Sequence, residues 1–173
     1  MAPYGEGDII DISIYNLKDL ILTAMKSEIE SENVYSKLAD TVKNFMLRDK
    51  FQFLAGEEEK HRAFFEWLFK ENFPGREIVL PEKTPVPLPK IKIDTENLPL
   101  SEIMQSAMRA EKATCDFYNG IADKFDKTPE IKKMLLYIAS MEMGHYRILE
   151  VEKENAMRFE DFDVEWPMMH VGP

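Results

Sequence analysis

The sequence carries the same pattern of charged and aromatic residues twice. Each copy has a glutamate followed seven residues later by a tyrosine, and further on a glutamate followed three residues later by a histidine. The first copy consists of Glu28, Tyr35, Glu58 and His61, and the second of Glu111, Tyr118, Glu142 and His145. Corresponding glutamates lie 83 or 84 residues apart, so one repeated helix hairpin explains both halves. The repeat predicts two hairpins related by an approximate twofold axis, with their glutamates at one level of the fold.

Each glutamate of the repeat lies in a row of apolar residues with helical spacing. The rows alternate steps of three and four residues, which is the period of helices that pack at shallow angles. We therefore predict an all-α four-helix bundle that forms a single domain over residues 1–173. The predicted helices are residues 16–46, 49–72, 101–126 and 128–157, with caps at Asn16, Asp49, Ser101 and Thr128. Residues 158–173, which include His170, are predicted to form an irregular tail.

Prolines mark the connection between the two hairpins. Six of the ten prolines fall within residues 73–100, where no helix can continue through them. Pro85, Pro87 and Pro89 alternate with apolar residues, a pattern typical of an extended segment that rises about 3 Å per residue. This segment is therefore predicted to be a crossover that returns the chain along the whole length of the bundle.

Composition excludes several classes of function. The formal net charge is -10, so binding to nucleic acid or to an anionic membrane has no electrostatic support. No apolar run reaches the length of a membrane span, and the residues after Met1 lack the basic and apolar segments of a secretory signal. Cys115 is the only cysteine, which excludes an internal disulfide and a site built from several thiolates. These features predict a soluble cytoplasmic protein.

The two Glu-x-x-His pairs predict a metal centre. A glutamate and a histidine three residues apart on a helix point the same way, so the carboxylate can bridge two ions while the imidazole binds one of them. One further glutamate from each remaining helix completes four carboxylates and two imidazoles, a set that suits two iron ions. The predicted ligands, which are also the predicted catalytic residues, are Glu28, Glu58, His61, Glu111, Glu142 and His145. Two divalent ions would neutralise the four buried carboxylates, and zinc or manganese could occupy the same ligands.

Alternatives to these roles stay open at the level of the sequence. A buried histidine is often a structural residue held by one hydrogen bond, although here two of the three histidines follow a glutamate at equivalent repeat positions. Tyr35 and Tyr118 could either pack in the core or donate hydrogen bonds to metal-binding carboxylates on neighbouring helices. Four further glutamates lie off the apolar rows and are predicted to be solvated, namely Glu30, Glu32, Glu57 and Glu59.

These motifs resemble the ferritin-like domain of rubrerythrin. The resemblance covers residues 16–157 and includes the segments SEIESENVY, EEKH, AEKATCDFY and EMGH. It implies a ferritin-like fold in which Glu58 and Glu142 bridge the irons, while Glu28 with His61 and Glu111 with His145 complete one iron each. Rubrerythrins reduce hydrogen peroxide to water, so the resemblance also implies a peroxidase.

The sequence departs from rubrerythrin in two respects. It lacks a rubredoxin domain with its cysteine pairs, so a separate protein such as a rubredoxin would have to supply electrons. Thr114 stands where rubrerythrin usually has an additional glutamate. This second difference favours a more symmetrical site in which His61 stays bound.

Three functions are consistent with the sequence. The first is reduction of hydrogen peroxide by a di-iron oxidoreductase in oxidative-stress defence. The second is that of a ferroxidase or iron-storage protein of the bacterioferritin type, which oxidises ferrous iron with dioxygen or peroxide. The third is a sensor or structural protein that keeps the metals. In each case we expect a homodimer or small homo-oligomer, because the tail does not resemble the fifth helix of a storage cage.

Overall fold

Four helices form most of the protein in a computed structural model that describes residues 11–95 and 97–165. They are α1 (Leu17–Thr41), α2 (Phe45–Asn72), α3 (Leu100–Ala122) and α4 (Pro129–Glu165), with short 3₁₀ turns at Ile12–Ile14 and Asp123–Phe125. Helix α1 packs along α2, and α3 packs along α4, which confirms the predicted all-α bundle of two helix hairpins. Within the described residues, none of these helices is both long and apolar enough to cross a bilayer.

The boundaries of the first two helices differ from the predicted ones. The first helix ends at Thr41 rather than at residue 46, and the second begins at Phe45 rather than near Asp49. Asn44 caps α2, because its side-chain oxygen accepts two backbone hydrogen bonds from the first turn, at 3.0 and 3.2 Å. The prediction of a cap at Asp49 was therefore wrong, because an effective cap lies one turn earlier.

The last two helices also differ from prediction at their ends. Helix α3 begins one residue earlier than predicted, which places Ser101, the predicted cap, inside the helix. Helix α4 continues to Glu165, so the prediction of an irregular tail from residue 158 was wrong. The sequence after the site contains no helix breaker before Pro167, and nothing local stops the helix earlier. His170 lies outside the described residues.

Two hydrophobic clusters fill the bundle. The first, here called the Phe65 cluster, includes Leu20, Ile21, Met25, Phe65, Leu68, Phe69, Tyr118, Ile121, Leu135 and Ile138. The second, the Phe51 cluster, includes Tyr35, Leu38, Phe51, Leu54, Ile103, Met104, Met108 and Leu149. The buried residues of α2 include Phe51, Leu54, Phe65 and Leu68, and those of α3 include Met104, Ala107, Tyr118 and Ile121. Because burial of each large apolar side chain contributes about 1.5–3 kcal/mol, these clusters are the main source of stability.

The crossover between the hairpins runs along the bundle, as the prolines predicted. Val86 is fully buried in the Phe65 cluster, and Ile91 packs against the Phe51 cluster. The backbone N–H of Lys92 donates a hydrogen bond of 2.9 Å to Oγ of Ser106 on α3. The crossover therefore passes from one hydrophobic cluster to the other and is tied to α3 on its way.

Candidate metal centre

The six predicted ligands come together between the two hydrophobic clusters. Along every helix, residues of one cluster precede the ligands and residues of the other cluster follow them. On α2 and α4, the spacing of three residues places the glutamate and the histidine on the same inward face. All six are buried, with no residue more than 3% exposed: Glu28, Glu58, His61, Glu111, Glu142 and His145.

The ligand atoms of this cluster fall into two groups of four. One group is Glu28, Glu58, His61 and Glu142, the other is Glu58, Glu111, Glu142 and His145, and the atoms within each group lie within 4.8 Å of one another. Glu58 and Glu142 belong to both groups, whereas every other residue belongs to one. The arrangement is that of two adjacent cation positions that share two carboxylates. The shared pair is the pair that the resemblance implies as bridging.

The two histidines approach the carboxylates from α2 and α4. Nδ1 of His61 lies 2.8 Å from Oε1 of Glu142 and 3.3 Å from Oε2 of Glu58. Nδ1 of His145 lies 3.3 Å from Oε1 of Glu58 and 3.6 Å from Oε2 of Glu111. The two rings stack, with centroids 5.6 Å apart and planes inclined by 21°. Each imidazole therefore directs the same atom, Nδ1, toward the carboxylates of one group.

Several buried polar atoms of the cluster lack hydrogen-bond partners. Among the described residues these atoms include both carboxylate oxygens of Glu58, both ring nitrogens of His61, Oε1 of Glu142 and Nδ1 of His145. Nδ1 of His61 lies 2.8 Å from Oε1 of Glu142, but the two atoms do not form a hydrogen bond. An unsatisfied buried polar group costs about 1–3 kcal/mol, so these residues do not form a satisfied structural network. Cations would satisfy the atoms together, and carboxylate oxygens with imidazole nitrogens suit iron, manganese or zinc.

Two tyrosines connect the halves of the site crosswise. The hydroxyl of Tyr35 on α1 donates a hydrogen bond to Oε1 of Glu111 on α3. The hydroxyl of Tyr118 on α3 donates in the same way to Oε1 of Glu28 on α1. Burial and the adjacent glutamate hold the pKa of each phenol well above its usual value, so both hydroxyls keep their protons and remain donors. Of the two alternatives that the sequence left open for these tyrosines, the structure shows the one with hydrogen bonds to carboxylates on neighbouring helices.

Burial and mutual repulsion shift the pKa values of the carboxyl groups. Burial and the nearby Glu58 raise the pKa of Glu28 to about 8. Burial and the nearby Glu28 raise the pKa of Glu142 to about 8 as well. Burial also acts to raise the pKa of Glu111, but its contacts with His145 and Glu142 outweigh burial and lower it. In the metal-free protein, the close approach of four carboxyl groups is therefore relieved in part by protonation.

Burial acts on the pKa values of the two histidines in the opposite direction, but their carboxylate neighbours outweigh it. Burial alone would lower the pKa of His61, but the carboxylates of Glu142, Glu28 and Glu58 raise it to about 12. For His145, the carboxylates of Glu111 and its neighbours outweigh burial and raise the pKa in the same way. In the absence of metal, the imidazolium ions supply the positive charge that the carboxylates require. The cluster is therefore an environment that favours cations.

Glu57 and Thr114 are two further buried residues whose environment bears on the predictions from the sequence. Glu57 was predicted to be solvated, but it is 8% exposed and forms an ion pair with Lys60 one turn away. The apolar row of α2 does not include Glu57, and only the packing of α2 against the other helices buries it. Thr114 is buried one turn after Glu111 and belongs to neither group of four. The two groups within the described residues contain four different carboxylates and no fifth.

Replacing Tyr35 or Tyr118 by phenylalanine is expected to weaken metal binding without changing the number of ions bound. Each substitution removes a hydrogen bond to a carboxylate, which is worth about 1.5–3 kcal/mol, so affinity should fall roughly 10–100-fold. Titration with Co²⁺ would measure the affinity and the stoichiometry. Tyr137 on α4 is 59% exposed, so Tyr137→Phe is the matched control. Affinities equal to that of the control would show that the two buried hydroxyls only fill space.

Known proteins share the sequence pattern and the fold of this chain. The model of the family described as Rubrerythrin matches residues 19–153. A solved structure, the hypothetical protein Pfu-1136390-001 from Pyrococcus furiosus, is 31% identical in sequence and superposes with a TM-score of 0.75. The match covers 86% of this chain and 95% of the Pyrococcus chain. No curated protein matches the sequence.

Proposed function

The chain belongs to the rubrerythrin family, and from this premise we propose that it is a di-iron oxidoreductase that reduces hydrogen peroxide to water. The observation that carries the proposal is the pair of four-residue groups that share Glu58 and Glu142. Two groups with two shared carboxylates support two neighbouring ions rather than one. Reduction of peroxide needs two electrons, and a pair of one-electron metals matches that requirement.

The residues of the chain would hold the centre in the following way. Glu58 and Glu142 would each contact both ions, Glu28 and His61 would complete one position, and Glu111 and His145 the other. With both irons ferrous, the centre would supply the two electrons that convert one hydrogen peroxide and two protons into two water molecules. Tyr35 and Tyr118 orient Glu111 and Glu28 through hydrogen bonds that span α1 and α3. The Phe65 cluster and the Phe51 cluster lie on either side of the site along the helices, where they exclude bulk water.

Electrons would come from a separate donor. Cys115, the only cysteine, is buried in the Phe65 cluster and cannot form a multi-thiolate iron site by itself. We propose an external donor such as a rubredoxin, together with a cytoplasmic location and a role in defence against oxidative stress. We also propose a homodimer or small homo-oligomer rather than a storage cage. In the described chain, the residues after the site extend α4 and do not form a separate fifth helix.

Ferroxidase activity is the second candidate, and the symmetry of the site favours it. Each group contains three carboxylates and one histidine, and Thr114 supplies no further carboxylate on α3. The same two positions could therefore oxidise ferrous iron with dioxygen and release the ferric product. Zinc or manganese could also occupy the same ligands.

Rapid mixing of the diferrous protein with hydrogen peroxide, and separately with dioxygen, distinguishes the two functions. Under the first proposal, metal analysis gives two irons per chain, and peroxide oxidises them at least about tenfold faster than dioxygen does. Reduced rubredoxin should then support repeated turnover with peroxide. Faster oxidation by dioxygen with release of ferric iron would instead establish a ferroxidase. One iron or none after anaerobic loading would contradict the two-metal centre itself.

A further inference from the structure

Helix α4 carries a second row of apolar and small residues on its outer side. The row that faces the bundle is buried and includes Leu135, Ile138, Glu142, His145 and Leu149. The second row, here called the outer row, also advances in steps of three and four residues and consists of Met134, Tyr137, Met141, Gly144, Ile148 and Val151. Met134, Tyr137 and Val151 are exposed, and the other three residues are half-buried. With a rise of 1.5 Å per residue, the outer row is about 26 Å long.

The outer row is not repeated in the other half of the chain. The repeat relates α4 to α2 with an offset of 84 residues, and two positions near the middle of the row are charged on α2. Met141 corresponds to Glu57, and Gly144 corresponds to Lys60. Because the metal ligands occur in both halves and the outer row occurs in one, the metal centre does not require this row.

Gly144 lies at the middle of the outer row, inside a helix of 37 residues. Glycine is the least favourable residue in a helix interior after proline, because it loses the most conformational freedom on folding. A β-carbon added to Gly144 would meet no atom within 4 Å. Among the described residues, no contact therefore requires a glycine at this position. A second helix packed over the outer row would use the space that the missing side chain leaves.

The charges beside the outer row are complementary to those of a second, antiparallel copy of α4. Four exposed residues spaced seven apart follow one edge of the row, namely Lys133, Ser140, Arg147 and Glu154. When two copies of α4 pack antiparallel, Lys133 of each copy meets Glu154 of the other, and Arg147 meets the uncharged Ser140. A parallel pair would instead place each charge at the height of the same charge in the second copy.

The antiparallel register that pairs these charges also pairs the apolar residues. Met134 faces Val151 of the second copy, Tyr137 faces its Ile148, and Met141 faces its Gly144. The twofold axis between the copies makes each of these pairs occur twice. Steps that average 3.5 residues are the period of two helices packed at a shallow angle. Charge and apolar pattern therefore favour the same arrangement.

We infer that two copies of this chain form a homodimer through the outer row, with their α4 helices antiparallel and crossing between Met141 and Gly144. The inference rests on the homodimer proposed above, and it adds the surface and the register of that dimer. Glu142 and His145 lie on the inward face of the same turns of α4. In the dimer, the two metal centres therefore lie at the same height, one on each side of the pair of α4 helices.

Reversal of the charges at the edge of the outer row tests the register. Lys133→Glu and Glu154→Lys should each raise the dissociation constant of the dimer about tenfold or more, because two attractive pairs become repulsive. The double variant restores both pairs and should return the constant to within about threefold of the original value. Lys37→Glu makes the same change at an exposed position of α1 and is the matched control. Sedimentation equilibrium of the Co²⁺-loaded protein measures the dissociation constants.

Gly144→Lys tests the middle of the surface. The equivalent residue of α2 is Lys60, and lysine favours a helix more than glycine does, so the variant should fold. Its circular dichroism spectrum and its two metal ions per chain should match those of the unaltered protein. In the dimer, however, the substitution places two lysines against the central apolar pairs, and the dissociation constant should rise about 100-fold or more.

The outcomes separate the surface from the other proposals. If the unaltered protein is a dimer and Gly144→Lys dimerises equally well, the homodimer stands but this surface is wrong. If both single charge variants dissociate and the double variant does not recover, the antiparallel register is wrong and the inference fails. A monomeric unaltered protein would overturn both the homodimer and this surface, and the outer row would then belong to a different partner. Each chain holds a complete metal centre, so a failure to reduce peroxide would refute the proposed reaction and leave the sedimentation result unchanged.

Discussion

Replacing Glu58 or Glu142 by alanine is expected to remove tight binding of both metal ions. Each of these carboxylates belongs to both groups of four, so its loss takes one ligand from each position at once. Glu28→Ala or His61→Ala removes a ligand from one position only, and should leave one ion bound tightly. Loss of a group that hydrogen-bonds to a metal ligand lowers metal affinity about 10–100-fold. Loss of a shared ligand itself should therefore lower the affinity of both positions by more than about 100-fold.

Titration with Co²⁺, followed by metal analysis after gel filtration, would measure this difference. Glu57→Ala is the matched control, because Glu57 precedes Glu58 on α2 and is also buried, but belongs to neither group. This control should retain two ions per chain. If Glu58→Ala and Glu28→Ala bind the same number of ions with similar affinity, the assignment of shared and unshared ligands is wrong.

Removing the metals is expected to lower the melting temperature, and to lower it further at higher pH. Ions present at 100 times their dissociation constant contribute about 2.7 kcal/mol for each site. Two sites then contribute about 5 kcal/mol, which corresponds to a shift of roughly 10–20 °C for a domain of this size. The chelated protein therefore provides a large signal against which the effect of pH can be measured.

The dependence on pH follows from the pKa shifts of the metal-free cluster. The pKa values of Glu28 and Glu142 rise from 4.5 to about 8 on folding, so their stabilisation is complete below about pH 4.5 and is lost as the pH rises through 8. The pKa of His61 rises from 6.5 to about 12, so its stabilisation is lost as the pH rises through that range. The pKa of Glu111 is lowered on folding, so the stabilisation from this group is lost only as the pH falls into the acid range. The metal-free protein should therefore become less stable from about pH 5 to about pH 9.

The metal-bound protein should behave in the opposite way over the same range. Metal ions displace the protons from the carboxyl groups and imidazoles, so metal affinity increases as the pH rises. Thermal unfolding followed by circular dichroism, with and without a chelator, should show a difference that widens from about pH 5.5 to about pH 8.5. In Glu28→Gln, one of the shifted carboxyl groups is absent, and the metal-free protein should lose part of its pH dependence. A melting temperature unaffected by chelation at every pH would contradict the buried cluster.

The sequence alone determined which residues form the cluster and which fold holds them. The steps of three and four residues define one buried face for each helix, and the repeat places a glutamate or a Glu-x-x-His pair at the middle of every face. Burial of an unbroken apolar face is favourable whatever its partner, so this information is local. The prolines of the crossover likewise exclude a helix through their covalent geometry.

The helix ends show the limits of local information. Asn44 and Asp49 are both acceptable caps, and the sequence does not say which of them ends the connection after α1. The helix predicted to end at residue 157 extends to Glu165, because the apolar row of α4 defines the buried face of the helix but not its end. A helix continues until a breaker or a competing contact stops it, and the next breaker is Pro167.

Only the tertiary structure decided which side chains meet across the helices. The pairing of Tyr35 with Glu111 and of Tyr118 with Glu28 depends on the rotation of α1 and α3 about their axes and on their relative height. The burial of Glu57 depends on the same variables. A helical period defines which face is buried but not what lies opposite it, because the packing of all four helices sets that register at once.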